Sequence, residues 1–104
     1  TPPDLTDLKQ KYQQLIDEIE QKYTAKELSS RKAHQKLSHV LRMFVVEING
    51  HRVDTLTLQD LEKTRYKTLA AAIEKFYIPE FTAVGQGSVA EAAALARKTV
   101  AAWN

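Results

Sequence analysis

Among 104 residues, the side chains with chemistry to offer are three histidines, thirteen carboxylates and a few hydroxyls; there is no cysteine. His34 and His39 stand five positions apart. On a helix that spacing turns them to different faces, whereas metal-binding pairs sit three or four apart. His51 falls in a loop with no thiol nearby. The spacing points to surface or partly buried structural histidines. Glu47 lies late in an apolar run and Glu74 shortly before Pro79. Either would work as a general acid or base only if buried beside a suitable partner. A salt bridge to Arg42 or to a lysine is the simpler expectation. Ser88 has no G-x-S-x-G elbow around it and reads as a helix cap. Gly85-Gln86-Gly87 lacks the further glycine and the Gly-Lys-Ser/Thr ending of a phosphate loop. No catalytic residue, metal ligand or cofactor is assigned, and the expectation is a non-enzyme.

The elements that must position these residues follow from periodicity. Gly and Pro are scarce, three of each, and the abundant Ala, Leu, Lys, Glu and Gln favour helix. The most apolar stretch, Leu37 to Ile48, repeats Leu37, Leu41, Phe44, Val45 and Ile48 on one helical face. Val40, Met43 and Val46 widen it, so this helix must be covered from more than one side. A first helix is expected from Asp4 to about Tyr23, with a stripe of Leu5, Leu8, Tyr12, Leu15 and Ile19. Fewer than three heptads are present, so packing within its own domain is favoured over a stalk or dimer seam. Thr24-Ala25-Lys26-Glu27 fits a capping box for a second helix reaching Asn49. Ser29-Ser30 lowers propensity there and moves the start toward Ser30. Gly50 suits a left-handed C-cap, and Val53 is placed to fold back onto the core.

Thr57-Leu58-Gln59-Asp60 predicts a capped short helix through Leu61 and Glu62. Thr64 would cap the next, about Arg65 to Tyr77, with Leu69, Ile73, Phe76 and Tyr77 buried and Ala70 to Ala72 admitting a close neighbour. Ile78-Pro79 ends it, with Phe81 tucked into the core. Ser88-Val89-Ala90-Glu91 predicts the cap of a last helix through Trp103. The expected fold is all-α, a single domain of residues 1–104 with four main helices and one short one.

The formal charge of +2 is too small to imply nucleic acid or an anionic membrane surface. It is uneven, however. Helix one carries Asp4, Asp7, Asp17, Glu18 and Glu20, while Lys26, Arg31, Lys32, Lys36 and Arg42 follow in the second. Either these sets face each other or both are solvated. Thr57 to Tyr77 loosely suits a helix-turn-helix, with Arg65 and Lys67 as candidate contacts, but its second helix has an alanine middle and no basic stripe. A nucleic-acid-binding module is therefore the second reading, and nucleic acid is not the expected partner. No run is long enough to span a bilayer. Met43 is the only methionine, and Pro2-Pro3 resembles a linker end, which favours a domain excised from a longer chain.

A further set of residues carries a family likeness. Ala33-His34, Leu37-Ser38, Arg42-x-Phe44 and Gly50 are followed by Leu56-Thr57-Leu58-x-x-Leu61. Then come Ile73-Glu74-x-x-Tyr77-x-Pro79-Glu80-Phe81, Ser88-Val89, Ala96-Arg97 and Trp103. In these the chain resembles the soluble domain of small actinobacterial membrane proteins with one N-terminal span. Their genes accompany those of MoxR-type AAA ATPases and von Willebrand factor A-domain proteins. The resemblance implies no enzymatic activity. It implies a helical adaptor at the cytoplasmic face of a membrane, anchored by a preceding span, whose protein partner belongs to such an assembly. Arg42, Tyr77, Glu80, Phe81 and Trp103 are the candidate partner-binding residues, with core or salt-bridge roles the simpler expectation for Arg42, Phe81 and Trp103.

Overall fold

The apolar run that ends at Ile48 dictates the architecture. In a computed structural model, which describes residues 5–76 and 86–103 (side chains from Val89 in the second stretch), it forms the second half of a helix, α2, Ser30–Asn49. Leu37, Leu41, Phe44 and Val45 have no exposed surface. A helix apolar over this much of its circumference needs several neighbours, and it has them. It packs against α1, Leu5–Thr24, against α4, Lys67–Phe76, against α5, Gln86–Ala102, and against a 3-10 turn at Val53–Thr55. The short α3, Leu58–Glu62, leans on α4. The described residues contain no strand, and the fold is all-α.

The ends of α2 are set by local chemistry. Its N-cap is Ser29, whose hydroxyl accepts the Lys32 amide at 3.1 Å. Gly50 closes it in the left-handed region, φ 76°, donating its amide to Val46 O at 2.8 Å. Nothing lies within 4 Å of where a Cβ would sit at Gly50, so backbone conformation alone selects glycine here. The capping box expected at Thr24 is not formed. Thr24 is the last residue of α1, and its hydroxyl donates back to Glu20 O at 3.0 Å. Residues 25–28 make a turn in which Lys26 takes φ 66°. The helix starts after Ser29 because a serine hydroxyl competes with helical bonds inside a helix and satisfies a free amide at its end.

Thr57 caps α3 as expected, accepting the Asp60 amide at 3.1 Å. Thr64 caps a tighter turn: it accepts the Tyr66 amide at 3.1 Å, and α4 begins only at Lys67. α5 starts at Gln86, two residues before the expected cap, so Ser88 lies in its first turn. First-turn amides have no intrahelical acceptor, so glycine and serine are tolerated there. The expected helix start at Asp4, the helix stop at Ile78-Pro79 and the core placement of Tyr77 and Phe81 fall outside the described residues.

Polar ties fix α1 in place. Tyr12, 3 % exposed, donates its hydroxyl to Glu47 Oε1 at 2.7 Å, and Lys11 Nζ joins the same oxygen at 3.0 Å. Two of the acids of α1 face α5. Asp17 and Glu20 both hold Arg97 of α5, Asp17 at 2.8 Å. Lys9 and Gln13 add hydrogen bonds to the carbonyls of Ala101 and Arg97 on the same helix. The tie to α2 runs the opposite way in charge, lysine on α1 to carboxylate on α2.

Two predictions follow from the core. Phe44→Ala should cost about 3–5 kcal/mol in urea melts, and a loss under about 1 kcal/mol would contradict full burial. The second concerns pH. The Tyr12 phenol, and then the Lys11 ammonium, hold the Glu47 carboxyl below its ordinary value. A lowered carboxyl stabilises the fold above the unfolded value near pH ~4, and this is lost as pH falls through the folded value. Tyr12→Phe should therefore cost about 1–2 kcal/mol at neutral pH, with the gap narrowing below pH ~4. A gap independent of pH would break the link to Glu47.

Candidate functional site

The face of the bundle left between α4 and α5 is where the structure offers space. A groove of about 540 Å³, open to solvent, runs between them and reaches Asn49 at the end of α2. Each wall is one helix face. Thr68, Ala71, Ala72 and Lys75 of α4 line one side, and Leu95, Lys98, Thr99 and Ala102 of α5 the other. Both sets follow i, i+3, i+4, i+7, so each presents about two turns, roughly 10 Å of helix. Tyr66, Arg65 and Trp103 complete the lining. Leucine, alanine and aromatic carbon supply an apolar surface, and small side chains keep it shallow.

The charge of this groove has one sign. Arg65, Lys75 and Lys98 line it, and among the described residues no carboxylate does. Lys75 and Lys98 are exposed and are neither ion-paired nor hydrogen-bonded to a described residue. Arg65 is partly engaged: its guanidinium sits 5.2 Å from the Tyr66 ring centroid and donates to the Tyr66 hydroxyl at 3.2 Å. Tyr66 in turn is hydrogen-bonded to His51 Nδ1. Asn49 contributes a side-chain oxygen that is buried and has no donor. An unsatisfied buried acceptor costs about 1–3 kcal/mol, and this oxygen is enclosed by the protein itself.

Of the candidate partner residues, Trp103 lines the groove, with its inner edge against Phe44 at 6.0 Å between ring centroids. Arg42 is not there. It is half-buried and reaches the carbonyls of Val53, at 3.1 Å, and Leu56. Burial pushes its guanidinium below the ordinary value, with Asp54 opposing. Its position next to the loop makes it an anchor for residues 53–56. Tyr77, Glu80 and Phe81 lie outside the described residues. Lys75, Lys98, Asn49 and Thr99 were not singled out by sequence. The signal for them was the alanine run 70–72 read together with the matching spacing on the last helix.

The chemistry-bearing residues are dispersed. His34 is buried, and its Nδ1 lies 2.8 Å from Ser30 O, so it serves as a donor within α2. His39 is exposed and lines a smaller groove of about 200 Å³ with Leu15, Glu18 and Val40. Glu47 is held by Tyr12 and Lys11, and Glu74 is exposed. No cluster of three potential metal ligands exists among the described residues, and no helix there is long and apolar enough to cross a membrane.

Arg42→Met should lower stability by about 2–3 kcal/mol, because two carbonyls lose a charged donor. Amide exchange at Val53 and Leu56 should rise in the same variant, and unchanged protection there would show that the arginine does not hold the loop. Compared with known proteins, the chain matches no family model, no curated protein and no solved structure.

Proposed function

We infer that the chain is a protein-interaction domain without catalytic activity of its own, and that its docking surface is the groove between α4 and α5. The observation that carries this reading is the groove's makeup. Two matched helix faces offer apolar surface beside lysines that have no partner within the described residues. Apolar centres rimmed by charge are the anatomy of protein interfaces. Enzyme chemistry would need an acid and a base held together out of water; Glu47 and Glu74 line neither groove, and His39 and Glu18 on the smaller one are both exposed. The resemblance to soluble domains of single-span membrane proteins adds a setting: an adaptor held at a membrane, with an AAA ATPase or von Willebrand factor A-domain assembly as the place to seek the partner.

The reading is tested by site-specific crosslinking in extracts of the source organism. A photoreactive residue at Ala71 or Ala102, both exposed and both lining the groove, should trap one discrete protein. The same group at Gln14 or Gln21, exposed on α1 and away from the groove, should not. Equal trapping from both faces, or none from the groove, would remove the reading.

A further inference from the structure

The groove also constrains the chemistry of what would fill it. We propose that its occupant is an amphipathic helix with acidic flanks, laid along α4 and α5 as a third helix. The proposal rests on the reading of this groove as a docking surface. Two features of the molecule specify the partner.

The first is shape. The two walls repeat with helical spacing, and Ala71, Ala72 and Ala102 leave room for another helix backbone to approach between them. Helices pack by setting side-chain ridges into such grooves at axial separations of about 8–10 Å. An apolar stripe at i, i+3, i+4, i+7 is how a docked helix is read. An extended peptide would look for a free strand edge, and the described residues contain no strand. A small molecule would be expected to have most of its surface enclosed, and this groove is more open than enclosed.

The second is charge. Arg65, Lys75 and Lys98 line the groove without an acidic counterpart among the described lining residues. Lys75 stands on the α4 wall and Lys98 on the α5 wall, so a helix between them would pass cations on both sides. Glutamates flanking its apolar stripe would meet both.

Trp103, the only tryptophan, lines the groove and reports its occupancy by fluorescence. The probes are two designed helical peptides of about 18 residues with the same leucine stripe, one flanked by glutamate and one by lysine. The glutamate peptide should shift the Trp103 emission saturably and bind about tenfold or more tighter than the lysine peptide, as two or three exposed ion pairs would give. The difference should shrink in high salt. Lys75→Glu/Lys98→Glu, at two exposed positions, should reverse the preference. Lys22→Glu/Lys36→Glu, at exposed positions on the smaller groove, should leave it unchanged.

Equal binding of the two peptides, binding of neither, or a preference that survives the reversal would overturn the proposal. So would a larger emission change with phosphatidylglycerol vesicles, which would make the groove a membrane contact. An emission that changes with protein concentration alone would make the occupant a second copy of the chain. Each of these leaves crosslinking from Ala71 and Ala102 free to stand, so loss of the acidic helix and loss of the docking surface are separable results.

Discussion

Phe44 carries no exposed surface, and its ring is met edge-on by Tyr12 of α1 and by Trp103 just beyond α5, at 5.3 and 6.0 Å between centroids. Such edge-to-face pairs stabilise beyond their buried area. More important here is what they join: the first, second and last helices of the chain at one point. With Leu37, Leu41 and Val45 also fully buried, α2 has to be enclosed before any other face can be settled. Tyr12 shows how tightly the polar tie to α1 depends on this. Its ring packs on Phe44 while its hydroxyl reaches Glu47 one turn further along α2. Burial, reinforced by the carboxylate that accepts its proton, pushes the phenol well above its ordinary value.

The groove is a by-product of that enclosure. α4 and α5 give their larger residues to the centre: Leu69, Ile73 and Phe76 from one, Val89 and Val100 from the other. What they turn outward beside each other is small: Ala71, Thr68 and Ala102, bordered by lysine. α5 in particular is built on alanine, with Ala92, Ala93 and Ala96 in the core. A helix with so little side-chain bulk sits close to its neighbours and leaves a shallow channel along its flank. The same economy that lets α1, α4 and α5 close around α2 therefore leaves an unfilled surface at the α4–α5 seam.

Much of this was legible in the sequence. The apolar period from Leu37 to Ile48, the glycine at 50 and the cap at Thr57 depend on local spacing, and each holds in the fold. Thr24 and Ser88 misled because a hydroxyl three residues before a carboxylate caps a helix only where its own backbone is non-helical, and both residues lie within helices. The partners of charged residues were not legible. Arg97 reads as a cation suited to a helix end, yet it joins Asp17 and Glu20 from across the chain. Arg42 reads as a salt-bridge residue or a partner contact in an apolar helix and instead anchors the loop at Val53 and Leu56. The groove escaped for the same reason: it belongs to two helices, and neither one shows it alone. Trp103 was singled out, but nothing in its neighbours along the chain revealed that Lys75 and Lys98 share its surface.

The bonds between α1 and α5 have a direction. Lys9 meets Ala101, Gln13 meets the carbonyl of Arg97, and the Arg97 side chain meets Asp17 and Glu20. As one helix is followed forward the other is followed back, so the start of α1 and the end of α5 lie side by side. A force drawing those two ends apart would open the contacts one after another, as a zipper opens, and would never load them together.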